Sequence, residues 1–280
     1  MHNLKAPVPL KFNSYLPSLA PRSKNAHKGD FGKILIIGGY AGFPGAVRLA
    51  GEAALRSGAG IVTIATHSSH AHYLQASRPE LIVHGVDSAA ALTSHLYNAT
   101  VIAIGPGLGQ DKWSKELLQE TLQVKDKPIV FDADVLNLMA KNNYPCEKHH
   151  LYTPHPGEAA RLLQCKIEDI EANRLKALAK LTEKYAGIMV LKGSGSLIGQ
   201  QQNPTFICQN GNPGMATAGM GDVLTGIIAA LIGQKIPLLK AACLGVLVHA
   251  LAGDKAALEG ERGLIASDIF PYLKTILNPK

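Results

Sequence analysis

The chain holds four cysteines in 280 residues, Cys146, Cys165, Cys208 and Cys243, and none forms a CxxC pair. That spacing offers no zinc-finger framework, and a chain of this size needs no disulfide staples. Reduced, mostly buried thiols are expected. Aromatic residues make up 5% and tryptophan occurs once. Stacking platforms for single-stranded nucleic acid are therefore scarce, and no Lys/Arg block runs beside them. Long apolar runs are also missing. The longest, from Ala241 to Gly253, is interrupted by His249 and falls short of a bilayer. Met1 to Arg22 carries Pro7, Pro9, Pro17 and Pro21 and lacks the apolar core of a signal peptide. There is no Pro/Ser-rich linker and no internal repeat. These absences predict a soluble, cytoplasmic protein that binds neither nucleic acid nor membrane.

What is present is a core-forming composition, 46% hydrophobic and 18% charged, with a formal charge of +7 that suits a polyanionic ligand. Short β-branched runs alternate with longer amphipathic stretches. Strands are predicted at Lys33–Ile37, Ile61–Thr66, Val101–Ile104, Ile129–Phe131, Leu151–Tyr152 and Ile188–Leu191. Helices are predicted at 45–57, 113–123, 170–185, 222–232, 239–258 and 267–277, with Gly187 placed to end the third. Ser196–Ile198 and Thr205–Cys208 read as an edge hairpin. Continuous apolar strands separated by helices imply a mostly parallel sheet covered on both faces, an α/β three-layer sandwich. Ligands of such sheets sit at the carboxyl ends of the strands. Glycine clusters fall there: Gly38-Gly39, Gly105-Pro106-Gly107-Leu108-Gly109 and Lys192-Gly193-Ser194-Gly195.

The most informative segment is Asn210 to Asp222, which runs through Gly211, Gly214, Thr217, Ala218, Gly219, Met220 and Gly221 directly into an apolar helix. Small residues let main-chain N–H groups turn inward, and the helix that follows points its positive end at the same place. Such amides can hold charge that develops on a phosphoryl group in flight. Asp222 stands at the helix start as a general base or hydroxyl-orienting group, and the competing reading is a simple helix cap.

In this segment the chain resembles the NAD(P)H-hydrate dehydratases of the ribokinase-like superfamily. Lys28–Lys33, Gly38–Ala46, Gly105–Gly109, Asp132–Asn137, Thr153–Glu158 and Leu191–Gly193 match that family in order. Two positions depart from its usual pattern: Ala218 where glycine is common, and Met220 where a hydroxyl residue is common. The resemblance implies a ribokinase-like domain over 28–280 behind an extension over 1–27. It implies that Ala46, Gly107, His155 and Asp222 line the pocket for the hydrated nicotinamide nucleotide. Lys192, Gly193, Ser194, Gly195, Ser196 and Gly221 would meet ADP or ATP, while Gly219 and Gly221 cradle the transferring group beside Asp222. Glu158 would reach Mg²⁺ through water, or else support the next helix; His155-x-x-Glu158 looks like this family's version of a sugar-kinase motif. Ordinary tight turns remain the alternative for the glycine clusters, and a snorkelling strand-end side chain for Lys192. Asp132, Asp134 and Asn137 are left between loop-tying and support of the site. Lys148-His149-His150 is expected at the surface.

The implied reaction is dehydration of the S form of hydrated NADH or NADPH, with phosphate and AMP (or ADP, if ATP is the donor) released. ADP is the favoured donor. A stand-alone homotetramer working beside a separate epimerase is expected. The rivals are a ribokinase-like kinase of the hydroxymethylpyrimidine or thiazole type and a nucleotide-binding regulator without catalysis.

Overall fold

The computed structural model describes residues 5–19, 21–76, 78–142 and 144–279. Ten strands form one sheet: β1 (Val8–Pro9), β2 (Lys33–Ile37), β3 (Ile61–Thr66), β4 (Ile82–Gly85), β5 (Val101–Ile104), β6 (Ile129–Phe131), β7 (His150–Tyr152), β8 (Ile188–Leu191), β9 (Ser196–Gln200) and β10 (Phe206–Cys208). Their spatial order is β1-β10-β9-β8-β7-β6-β5-β2-β3-β4. From β4 through β8 every pairing is parallel, whereas β9 runs antiparallel to both β8 and β10. The expected hairpin is present, and β1 adds a further parallel strand outside it.

The period of two sorts the strands between two cores. Ile34, Ile36, Val62, Ile64, Val101, Ala103 and Val130 face α1 (Pro44–Arg56) and the C-terminal helices. Leu35, Ile37, Ile102, Ile104, Ile129 and Phe131 face the opposite way. That second layer holds α3 (Ala89–Asn98), α4 (Lys112–Thr121), α5 (Asp134–Lys141), α6 (Pro156–Leu163) and α8 (Arg174–Lys184). The connections α2 (Ser68–Leu74) and α7 (Ile167–Ala172) are short. α9 (Met220–Gly233), α10 (Leu238–Ala256) and α11 (Phe270–Ile276) complete the first layer. α9 crosses α1 closely because Gly226 has no side chain: a Cβ there would meet the Ala50 carbonyl. Val223, Leu224, Ile227, Ile228 and Leu231 of α9 are all buried. At about 1.5–3 kcal/mol for each large apolar side chain, this burial holds the start of α9 rigidly.

Several expectations need correction. The helix expected over 170–185 is two helices, α7 and α8, broken at Asn173, whose side chain caps α8. Asp134 and Asn137, left as loop or support residues, lie on a helix not read from the sequence: Ala133, at φ 51°, turns the chain, and α5 begins at Asp134. The segment predicted as helix from 267 opens with a 3-10 turn at Ala266–Ile269. His150 is buried, not at the surface, and burial pushes its pKa down to about 3. Of the thiols, Cys208 and Cys243 are buried, while Cys165 is exposed. The helix around the longest apolar run, Leu238–Glu259 with its 3-10 end, is by length and composition sufficient to cross a membrane. Most of it packs inside the fold as a core helix.

Candidate active site

The strand order reverses between β2 and β5, since the chain leaves β2 towards β4 and returns on the other side. Loops leaving the carboxyl ends of strands at such a point flank a crevice. The two here are tied together: the Gly39 N–H donates to the Pro106 carbonyl at 2.9 Å and the Tyr40 N–H to the Gly107 carbonyl at 2.7 Å. Gly107 adopts φ 57°, and a Cβ on it would lie 3.1 Å from that of Ala46. The structure thus brings Ala46 and Gly107 side by side.

The second half of the site lies over β6, β7 and β8. Asp132, 1% exposed, ends β6. One carboxylate oxygen accepts from Thr153 Oγ1 at 2.7 Å and Lys192 Nζ at 2.8 Å; the other accepts from Thr225 Oγ1 at 2.8 Å. Lys192 Nζ also stands 3.8 Å from Glu158. Burial would lower the lysine pKa, but Asp132 and Glu158 outweigh it and hold the ammonium above its usual range. Gly221 sits against this pair, since a Cβ on it would come within 3.2 Å of Lys192 Nζ. The Lys192 head group therefore lies beneath the first turn of α9. It is held by carboxylates and does not snorkel away.

His155 and Glu158 form a reciprocal cap on α6. The His155 N–H donates to Glu158 Oε2 at 2.8 Å, and His155 Nδ1 accepts from the N–H groups of Gly157 and Glu158 at 3.0 and 3.3 Å. This occupies Nδ1 as an acceptor and leaves the imidazole proton on Nε2. Burial, with Lys192 and Arg161 nearby, lowers the His155 pKa and favours that neutral form. Glu158 is buried, and its pKa is raised to about 7 by burial, opposed by Lys192 and reinforced by Asp132. The helix-supporting role left open for Glu158 is thus present in the geometry.

Asp222 lies in the first turn of α9, partly exposed and preceded by Gly219 at φ 90°. A methyl on Gly219 would collide with Leu49 of α1, so the turn tolerates only glycine. The Asp222 pKa is raised to about 7, first by burial and then by Asp132, against the lowering pull of Lys192. Its side chain makes no helix-capping bond, and the residue that precedes α9 is Gly219. Met220, the unusual residue here, turns its side chain into the core at 6% exposure. Gly193 and Gly195, at φ 136° and 66°, shape the loop after β8, where Ser196 Oγ donates to the Gly193 carbonyl at 3.0 Å. Ser194 is exposed in that loop.

Four supporting side chains were given no role in the sequence reading. Arg174 donates to the carbonyls of Leu191, Lys192 and Ser194, bracing the loop that carries Gly193 to Ser196. Asp254 of α10 accepts from the Gly211 N–H and the Asn212 amide, both at 3.1 Å, pinning the entry of the long loop. Thr153 and Thr225 complete the Asp132 shell. None has a local pattern in the sequence, because each acts on a partner distant in the chain. Asp134, left open earlier, accepts from the Gly109 N–H at 2.9 Å and so links the two halves of the site.

A profile described as NAD(P)H-hydrate dehydratase matches residues 34–275. The chain belongs to the NAD(P)H-hydrate dehydratase family. Among curated members it is similar to the bifunctional NAD(P)H-hydrate repair enzymes Nnr of Coxiella burnetii and Escherichia coli. Identity is 48% to each, over 96% and 94% of this chain and 55% and 50% of the relative. The chain spans about half the length of these relatives. Among solved structures, the ADP/ATP-dependent NAD(P)H-hydrate dehydratase of Bacillus subtilis, co-crystallised with ATP and Mg²⁺, superposes with a TM-score of 0.85. Identity is 26%, and 99% of this chain and 98% of that one are covered. A ribokinase-like superfamily protein of Enterococcus faecalis is 31% identical with a TM-score of 0.87, covering 99% of this chain and 98% of its own. The α/β sandwich of this dehydratase family member is therefore ribokinase-like, as the resemblance implied.

Proposed function

We propose that the chain removes water from the S form of hydrated NADH or NADPH at the expense of ADP or ATP, restoring the dihydronicotinamide. The reading rests on one observation above all. Asp222 stands partly exposed at the positive end of α9, beside the buried Asp132–Lys192 pair, in a chain of the dehydratase family.

Hydroxide is a poor leaving group at neutral pH and phosphate a good one. Asp222 takes the proton of the ring hydroxyl, whose oxygen attacks the terminal phosphoryl of the nucleotide and releases AMP or ADP. Main-chain amides around Gly219 and Gly221 face the charge on that group, and the α9 dipole adds to them. The ring nitrogen's lone pair then expels phosphate, and loss of a proton restores the double bond. Lys192 to Ser196 would take the nucleotide, and Ala46, Gly107 and His155 the hydrate.

Magnesium fits this site as a passenger on the nucleotide. Among the described residues no group of three or more His, Cys, Asp or Glu could cage a metal. Mg²⁺ commonly keeps several waters and binds through one or two carboxylates plus phosphates. Glu158 would reach the ion through water, and the ion would neutralise phosphate charge. The favoured donor is ADP, and the proposed working form is a cytoplasmic homotetramer; both follow the family resemblance. An active site that takes one epimer needs an epimerase to supply it, so that activity is the functional partner.

The test is direct. Hydrated NADH is incubated with the protein and either ADP or ATP, and the dihydronicotinamide absorbance is followed. Its recovery with release of phosphate supports the assignment; a stable phosphorylated hydrate, or no recovery with either donor, would overturn it.

A further inference from the structure

Along the carboxyl edge of the sheet, beyond Gly107, lies an aromatic cluster that the reaction steps above leave unused. Tyr40 follows Gly39 at the end of β2, His67 follows β3, and Trp113 opens α4. The Tyr40 ring centroid is 5.6 Å from that of His67 at 78°, and 5.6 Å from that of Trp113 at 42°. His67 and Trp113 are 5.8 Å apart. Trp113 forms the buried floor, its indole N–H held by the Val86 carbonyl at 2.7 Å. Tyr40 and His67 remain partly exposed above it.

Both upper rings are held in place before any ligand arrives. The Tyr40 N–H is bound by Gly107 at 2.7 Å, and Asp111, the cap of α4, lies beside its hydroxyl and pushes the phenol pKa up. His67 caps α2, with Nδ1 accepting from the Ser69 N–H at 3.3 Å. An aromatic surface fixed in this way costs little ordering on binding. Its place is also informative. The nicotinamide end of the substrate must lie at Asp222, over β6. Tyr40 and His67 stand over β2 and β3, two and three strands further along, about 10–15 Å at the usual strand spacing. A dinucleotide carries its second base at the far end of two riboses and a pyrophosphate, a comparable reach.

Building on the dehydratase reading, we propose that Tyr40 and His67 form the stacking seat for the distal purine ring of the hydrated dinucleotide. The surface of the joined loops after β2 and β5, where Ala46 and Gly107 lie side by side, would carry the connecting pyrophosphate. Any purine ring offers a π-face to such a platform, so the seat selects dinucleotides over mononucleotides without reading the base edge. It would serve NADH and NADPH hydrates alike.

The test compares hydrated NADH with hydrated reduced nicotinamide mononucleotide, which lacks the purine half, in wild type, Tyr40→Ala and Tyr40→Phe. Wild type is expected to prefer the dinucleotide in kcat/KM. Tyr40→Ala should cut that preference at least about fivefold, mainly through KM, and Tyr40→Phe, which keeps the ring, should restore it. His67→Ala reports on the same ratio should Tyr40→Ala fail to fold. The inference falls if wild type shows no preference, or if the substitution moves both substrates in equal proportion. Absence of turnover of either substrate by wild type would remove the dehydratase reading and this seat with it. Turnover with an unmoved ratio removes the seat alone.

Discussion

Asp222 is held near its midpoint at neutral pH, with the pKa raised to about 7 by burial and by Asp132. A general base works when deprotonated, so kcat/KM should climb through pH 6 to 8 and level above it. Asp222→Asn should remove that limb and lower kcat by about 10²–10⁴ while the nucleotide still binds. The same shift has a stability sign opposite to that of a salt-bridged carboxylate. The folded state binds the proton more tightly than the unfolded chain, so stability falls as pH rises from about 4 to 7. Asp222→Asn should therefore melt higher than wild type at pH 8, and the two should converge near pH 4; a lower melting point at pH 8 would contradict the burial argument. Asp132 is held by hydrogen bonds from Thr153, Lys192 and Thr225. Asp132→Ala leaves the Lys192 charge without its partner, and urea unfolding should show a loss of about 3–5 kcal/mol. The sequence made Asp222 legible through its small-residue lead-in. It left Asp132 undecided because its partners lie 21, 60 and 93 residues away, where no local pattern reaches.

Buried elements announced themselves, as did the β9–β10 hairpin, whereas the outermost strands β1 and β4 did not. β2, β3, β5, β6 and β8 begin and end where their β-branched runs do, because a strand covered on both faces must be apolar throughout. β4 escaped notice: Ile82, His84 and Gly85 are exposed, and an edge strand carries no continuous run. α2 and α3 were missed beside it for a similar reason, since both carry histidine and serine among few buried residues. The long loop before α9 was legible as a device, but the clamp that holds it was not. Asp254 grips that loop at Gly211 and Asn212 from a helix 42 to 43 residues away. Asp254→Ala should free the loop entry without opening the core. The expected result is a drop in kcat/KM of about 5- to 30-fold with little change in melting temperature, the range that losing about 1–2 kcal/mol of positioning by hydrogen bonds gives. An unchanged kcat/KM would mean that the amides near Gly219 are set by α9 and α1 alone.

At the scale of the molecule, the candidate site occupies one edge of the sheet, and the described part of the stretch before Lys28 packs elsewhere. Read as sequence, that stretch is a proline-rich extension without periodicity. In three dimensions its strand β1 pairs with β10, and the following 3-10 turn places Tyr15 in the core at 8% exposure. Burial pushes the Cys243 thiol on α10 up to about 12, and Tyr15 is among the groups beside it. α10 is the helix that bears Asp254, so the segment packs on the same element that holds the long loop, about three turns nearer its start. Tyr15→Ala removes a buried ring and leaves the thiol facing a cavity. Unfolding in urea should then require about 2–4 kcal/mol less, while the ADP-dependent kcat of the folded fraction stays within about twofold, because no Tyr15 atom approaches the catalytic edge. A stability equal to wild type would show that residues 5–19 pack on a finished domain without sharing its cooperative unfolding. A large fall in kcat with stability intact would show that α10 transmits strain from that segment to the loop.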